Sequence, residues 1–478
     1  MIKKFMLLIL TTAIFAAASC SRGEVSQGGG GGDKPPEATT AEKTTDIGDD
    51  LPELDYGGYE FNILTRINST FYKYVVEEDT GEILNDSVYR RTRNVEERLN
   101  VTLKENENSD ANMPRSLMLA GDDTYDMYNA RCTHALTFWL EGLTVEIPAL
   151  PHINLDKPYW NKTANESLSL NNRQYVAMGA ANIGAYDFIF TLLFNKKLVS
   201  DFALESPYEL IKSGKWTIDT MAGMMKAVSS DLNGDGIYDI NDRYGYASGT
   251  NVTLPAFWVG AGLFAIQKDA NDIPYFSAGD QKFLDLFEKV FELTWESDAW
   301  FKKPGGGTNT NTPETSVELF TGDRALFIDT QVADIKRLRG METDFGIILY
   351  PKYDEKQESH RVRFGFYDAF IVSRSNPNFE RTSAVIEALN SESHKTVMPV
   401  YYDMCLKTRS SRDDESEAML DFIFSNLVVD LGDTVWADRI RDGVFTQMFQ
   451  QKNKNIASKL ESMADSVQKD IDKILEMQ

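Results

Sequence analysis

From Tyr56 onward two hydrophobic rhythms alternate along the chain. Glu60–Thr65 (EFNILT) is a short β-rich run and predicts a strand. Leu84, Val88, Thr92, Val95 and Leu99 then recur at helical spacing, with Asn85, Asp86 and Ser87 offering caps at the start. Asn100–Leu103 (NVTL) reads as the next strand, Pro114–Ala120 as a helix and Tyr125–Tyr128 (YDMY) as a third strand. A β-α-β-α-β order implies an open, mainly parallel sheet.

A second set follows. Gln174–Met178 (QYVAM) and Phe188–Phe194 (FIFTLLF) read as strands. Ile218–Val228 predicts a helix with Met221, Met224, Met225 and Val228 on one side, and Lys282–Thr294 another, carrying Phe283, Leu286, Phe287, Val290, Phe291 and Leu293. Ala325–Ile328 and Phe345–Leu349 return to strand, and Phe364–Val372 is a longer strand-like run. The remainder is helical. Ile456, Leu460, Met463, Val467, Ile471 and Ile474 give the last helix an apolar stripe that predicts packing on the body. Trp160 and Trp216 read as core or surface fixtures.

The N-terminus follows neither rhythm. Lys3 and Lys4 precede an uncharged, mostly apolar run of 14 residues, Phe5–Ala18. A spanning helix needs roughly 17–25, so this run predicts an export signal. Ala17, Ala18, Ser19 and Cys20 follow, and a cysteine directly after small residues resembles the bacterial lipobox, although Ala17 stands where that motif prefers Leu. The resemblance implies a signal peptide over 1–19 and lipidation of Cys20; the competing reading is an ordinary secretory signal. Residues 20–54 then form a tether: Gly28–Gly32, Pro35, Pro36 and a Thr, Glu, Lys and Asp mixture offer too little apolar surface to offset ordering entropy. Two or three acyl chains on such a cysteine hold better than the single chain that binds only marginally. The expected place is outside the cell, lipid-anchored to the outer face of its membrane.

Composition narrows the function. A chain of 478 residues suggests two or three domains, and 42% hydrophobic with 26% charged residues is ordinary globular usage. Lys plus Arg is 49 against 73 Asp plus Glu, a net charge of −24, which argues against nucleic-acid partners. It says little about neutral ligands. The four histidines, His134, His152, His360 and His394, lack zinc spacing, and no Cys-x-x-Cys exists; Cys132 and Cys405 read as buried free thiols, the alternative being a disulfide if the fold sets them side by side. There is no G-x-S-x-G, no G-x-x-x-x-G-K-[ST] and no H-E-x-x-H. Gly260 and Gly262 lack the third glycine of a dinucleotide site, and Gly305–Gly307 reads as a loop. No enzyme is expected, although the abundant carboxylates leave glycoside hydrolysis open.

One metal motif stands out. Asp231, Asn233, Asp235, Ile237, Asp239 and Asp242 occupy positions 1, 3, 5, 7, 9 and 12 of a calcium-loop pattern, with Gly236 at the sharp turn. Asp231, Asn233 and Asp235 would supply side-chain oxygens, Ile237 its carbonyl, Asp239 a direct or water-mediated contact, and Asp242 would close the loop. Asp242 is shorter than the usual bidentate Glu, which predicts fewer ligands or weaker binding. The competing reading is a solvated acidic turn. A single site before Tyr244-Gly245-Tyr246, not between two helices, points to a structural calcium.

Lys215-Trp216-Thr217-Ile218-Asp219, the calcium-like loop and Asp242-Arg243-Tyr244-Gly245-Tyr246 together resemble extracellular solute-binding protein family 1, the maltose-binding-protein type of lipoprotein that serves bacterial ABC importers. Gly57-Gly58-Tyr59, Ala120-Gly121-Asp122-Asp123-Thr124-Tyr125-Asp126, Phe194-Asn195-Lys196, Phe320-Thr321-Gly322-Asp323-Arg324-Ala325-Leu326-Phe327 and Phe345-Gly346 followed by Tyr350-Pro351-Lys352 fit in the same order, over about residues 55–430. The resemblance implies an α/β, two-lobed, periplasmic-binding-protein-like fold of type II. Each lobe would be an open, mainly parallel sheet flanked by helices. Lobe 1 would comprise 55–178 plus 326–368, and lobe 2 would comprise 183–322 plus 372–478. Hinge strands near Asp187–Phe194 and Tyr367–Val372 would join them.

That family binds mostly oligosaccharides, so the resemblance implies carbohydrate capture between lobes and delivery to ABC permease subunits by a monomer. Aromatic rings suit a sugar's C–H face and planar polar groups its hydroxyl rim. The positions carried over by motif are Arg66, Arg131, Asn251, Trp258, Asp329, Gln331, Tyr367 and Asp368. Core packing competes for Trp258, and surface salt bridges compete for Arg66 and Arg131. Two other functions share these features: a sensor presenting ligand to a signalling receptor, and a secreted carbohydrate-active hydrolase.

Overall fold

The computed structural model describes residues 48–66, 73–302, 312–338, 340–365, 368–406 and 414–476. The signal, Cys20 and the tether up to residue 47 lie outside the described residues. No described helix is long and apolar enough to cross a membrane.

The strands are β1 (Tyr59–Arg66), β2 (Val101–Asn108), β3 (Met127–Arg131), β4 (Phe190–Asn195), β5 (Tyr244–Ala247), β6 (Ile266–Lys268), β7 (Pro274–Phe276), β8 (Ala325–Gln331), β9 (Phe345–Ile348), β10 (Val362–Arg363), β11 (Asp368–Ile371) and β12 (Leu427–Val428). They form two four-stranded sheets, ordered β11-β3-β1-β2 and β5-β8-β4-β9, and two small two-stranded pairs. In the first sheet β1 runs parallel to β2 and β3, while β11 is antiparallel to β3. In the second, β8 is parallel to β5, and β4 runs against both β8 and β9.

The pairing corrects the expected division of the chain. Residues 326–368 were expected in lobe 1, yet β8 and β9 flank β4 in the second sheet, with Phe194 opposite Phe327 and Leu193 opposite Ile347. These short runs are apolar on both faces, so they belong inside a covered sheet, and β4 offers that place. The helix Phe379–Thr396, expected in lobe 2, packs on the helix Ile83–Leu99 of the first lobe instead, where Arg91 Nη1 donates to Ser393 Oγ at 2.8 Å. Among the described residues the chain thus passes between lobes three times, near 179–189, between 365 and 368, and near 397–401. Tyr401 Oη donates to Asp187 Oδ1 at 2.9 Å and ties the third passage to the first.

Local chemistry explains the elements. The helix Ile83–Leu99 starts where the Glu82 carboxylate accepts the Asn85 N–H at 2.7 Å, so the cap is Glu82 rather than Asn85–Ser87. It ends at Asn100, whose φ of 49° is the left-handed turn that asparagine tolerates. Its stripe buries Leu84, Val88, Thr92, Val95 and Leu99. Gln174–Met178 is not a strand. Tyr175, Val176, Ala177 and Met178 are fully buried, and only an isolated bridge joins Ala177 to Phe370; the run is apolar because it is enclosed, not because it is paired. Phe364–Val372 is likewise interrupted: Phe364 bridges Ile189 at the passage between lobes, and β11 begins at Asp368.

Candidate functional site

Alternation along β1, β2 and β3 builds the site. Side chains on one face recur every second residue. Near the strand starts that face is apolar, with Phe61, Ile63, Val101, Leu103 and Met127 in one buried cluster with Trp160, Phe370 and Leu389. Towards the C-terminal ends the same face becomes polar: Thr65 on β1, Glu105 and Glu107 on β2, Asn129 on β3. The register sets Ile63 opposite Glu105 and Thr65 opposite Glu107. A cavity of about 280 Å³ opens where the apolar core stops, roofed by Tyr74 and by Ala181–Ala185 and Phe188 of the first passage between lobes. Ligands of open α/β sheets commonly sit in such a crevice beyond the carboxyl ends of strands.

Arg66 and Asp368 also line this cavity. Arg66 Nη2 reaches both Asp368 oxygens at 3.1 Å and Nε reaches Oδ1 at 3.3 Å, a planar fork on a carboxylate. Asp368 pairs with Arg131 across the strands. Arg131, Cys132 and Thr133 share a small crevice with Gly365, Asp433, Thr434, Ala437 and Arg441 of the second lobe. There Asp433 is buried between two guanidinium groups, with Arg363 Nε at 2.6 Å and Arg441 Nη1 at 3.1 Å. His134 stands nearby, and burial, then the Arg131 charge, lowers its pKa.

The structure therefore brings Arg66, Arg131 and Asp368 together. Asp329 and Gln331 lie in β8 of the second lobe, opposite Leu192 and Phe190, and do not line the cavity. Burial raises the Asp329 pKa to about 7, although the Gly249 N–H and the Arg363 charge favour its ionised form. Asn251 falls in the helix Thr250–Gly260, its side chain outside the described residues; Tyr367 lies outside them as well. Trp258 is a correction. It is fully buried, with the Phe445 ring at 5.1 Å and the Phe283 ring at 5.7 Å, and does not line the cavity. The helix carrying it is apolar on all sides, so its tryptophan packs inward. Trp160 and Trp216 are core.

Glu105, Glu107, Asn129, Tyr74 and Asn182 are lining residues that sequence reasoning missed. A signal for two of them exists. VTLKENEN places Glu105 and Glu107 in phase with Val101 and Leu103, so one strand carries both the core and the cavity.

No family model matches the chain, and no curated protein matches it. Solved structures do. A sugar-binding protein MalE from Xanthomonas citri has a TM-score of 0.59 at 12% identity, covering 88% of this chain and 100% of that one. An extracellular solute-binding protein from Staphylococcus aureus in complex with maltose has a TM-score of 0.56 at 13% identity, covering 90% and 99%. An ABC substrate-binding protein from Listeria monocytogenes in complex with cycloalternan has a TM-score of 0.53 at 11% identity, covering 86% and 98%. The chain has the two-lobed solute-binding fold of the maltose-binding type. Identities this low establish the architecture alone.

Within this solute-binding fold the calcium-like loop sits on the second lobe between the helix Ile218–Val228 and β5. Asp231 accepts the N–H groups of Gly234 at 2.7 Å and Gly236 at 2.8 Å, and both glycines have positive φ. Asp242 is fully buried and accepts the N–H groups of Leu232 and Asp239 at 2.9 Å each. Asn233 Nδ2 donates to Asp235 Oδ2 at 2.9 Å, and the Ile237 N–H to Asp235 Oδ1 at 2.7 Å. Each carboxylate thus folds the loop upon itself. Among the described residues, no three acidic, histidine or cysteine side chains gather as a metal cage. A calcium here would depend on the second lone pairs of these oxygens, on Asn233 and on the Ile237 carbonyl. Cys132 is buried, and burial raises its thiol pKa; Cys405 has its side chain outside the described residues.

Proposed function

We propose that this protein captures a carbohydrate between its two lobes and delivers it, unaltered, to a membrane importer. The observation that carries this reading is the cavity at the ends of β1, β2 and β3, walled on one side by the passage between lobes. A ligand seated there touches the segment that must bend when the lobes move. Ligand that contacts the closed state better than the open one shifts the population towards closure. The Arg66–Asp368 fork and the polar strand ends supply planar hydrogen-bonding groups for hydroxyls. Solute-binding structures recorded with maltose and cycloalternan share the architecture and support the choice of a saccharide.

The remaining parts of the reading fit this one. Lipid on Cys20 and the tether to residue 54 would hold a monomer beside permease subunits, making delivery a local event. Calcium in the 231–242 loop would brace the second lobe. A thermal-shift panel of saccharides, amino acids and polyamines, with chromatography of the recovered ligand, tests the reading. A saccharide is expected to raise the melting temperature and to return unchanged. A panel in which no saccharide acts, or a sugar returned cleaved, contradicts it. For the anchor, a Cys20→Ala protein is expected to leave the membrane fraction; retention there contradicts lipidation.

A further inference from the structure

The cavity beside the first passage between lobes has an electrostatic imbalance. Its cations are already engaged: Arg66 holds both oxygens of Asp368, and Lys73 Nζ lies 3.4 Å from Glu107. Glu105 lines the same space; no ion pair to it is found among the described residues, and the buried Arg91 guanidinium, which donates to the Tyr74 carbonyl, acts on it only from further away. The Glu105 carboxylate accepts the Val75 N–H at 2.9 Å. Burial raises its pKa, against the N–H bond from Val75, the Thr65 hydroxyl and the more distant charge of Lys73. On the same face of the sheet, Asn129 Oδ1 is buried with no hydrogen-bond partner. The orphaned amide oxygen is unfavourable unless a donor occupies the space beside it, and Glu105, acted on by the charges of Arg91 and Lys73 only from beyond ion-pair distance, still has room for a direct cationic partner.

Resting on the saccharide reading above, we propose that the cavity takes a sugar ring bearing a protonated amine, seated against Glu105 and Asn129, and turns away acidic sugars. A neutral hydroxyl would satisfy Asn129 but leave Glu105 without a direct ion-pair partner. A carboxylate or phosphate on the sugar would face Glu105, Glu107 and Asp368, with both cations already committed. An ammonium group donates three N–H bonds, and its bonds to a carboxylate are charge-assisted. The volume, about 280 Å³, lies at the small end of ligand sites, which run to roughly 300–1,000 Å³, and suits one or two rings. The chain's net charge of −24 favours the approach of a cation.

Calorimetric titration of the full chain at about pH 6.5, where most of a sugar's amine is charged, decides the matter. Glucosamine and galactosamine are compared with glucose and galactose, with glucuronate and galacturonate, and with putrescine. The hexosamines are expected to bind about tenfold tighter than their neutral parents, the scale of one charge-assisted bond, and the uronates weakest. Glu105→Gln is expected to collapse the hexosamine-to-hexose ratio to about one, with the melting temperature checking the fold. Asn129→Ala, which keeps the carboxylate, is expected to weaken every sugar yet retain the ratio. Neutral or acidic sugars binding as tightly as hexosamines, putrescine matching them, or Glu105→Gln keeping the preference overturns the proposal. Silence from sugars of every charge overturns the saccharide reading beneath it.

Discussion

Trp258 and Glu387 show how much a single residue's surroundings decide. Trp258 fills the space between Phe283 and Phe445 inside the second lobe. Trp258→Ala is therefore expected to lower stability by about 3–5 kcal/mol through the cavity it leaves, read from denaturant melts. A full-strength fold with weakened sugar binding would return it to the cleft. Glu387 is buried in the first lobe and accepts Tyr159 Oη at 2.6 Å and Trp160 Nε1 at 3.1 Å. Desolvation lifts its pKa from 4.5 to about 7, against those two donors. The folded state then holds this proton more tightly than the unfolded chain. Its contribution to stability is complete below about pH 4.5 and is lost as pH rises through about 7. Burial lifts Asp329 and Asp430 to about 7 as well, with the same sign. The melting temperature is expected to fall across that window, and Glu387→Gln to make the fall shallower. An unchanged slope in the variant would contradict the assignment.

At the scale of elements, what was legible in the sequence follows from how each run is enclosed. The helices Ile218–Val228 and Gln281–Leu293 bury the methionines and phenylalanines that their spacing marked, because each presents one stripe to one sheet or helix. The last helix, Ala457–Glu476, likewise buries Leu460, Val467, Ile471 and Ile474. Gln174–Met178 misled because full burial without pairing produces the same apolar run as a strand. The placement of β8 and β9 was hidden because sheet partners are set by contacts across more than a hundred residues, and short apolar strands fit either lobe. Among the residues lining the cavity, Arg66 and Asp368 are positions that the family resemblance supplies, Arg66 after the first strand and Asp368 in the expected crossover strand. Glu105 escaped because β2 was read as ending at Leu103. Gly245 shows the tightness of the element packing: a Cβ there would run into the Met225 backbone. The 231–242 loop is the element whose chemistry a chelator tests. If calcium braces it, EDTA lowers the melting temperature and added calcium restores it; a melt indifferent to both contradicts the site.

At the scale of the molecule, three passages of chain link two sheets, and the candidate cavity touches the first of them. Under the proposed function, that arrangement would make ligand occupancy and lobe position one equilibrium. A bound solute stabilises the closed form only by the contacts it makes there and not in the open form. In the proposal, the acceptor-rich walls would set which solute does so, and the −24 net charge would favour the approach of cationic ones. Small-angle X-ray scattering of the full chain, free and saturated with the sugar that most raises its melting temperature, measures this coupling directly. Closure on an intact sugar predicts a smaller radius of gyration at saturation, reversed when the sugar is dialysed away. An unchanged radius at full occupancy would show that the lobes do not move on the ligand and would contradict capture by closure.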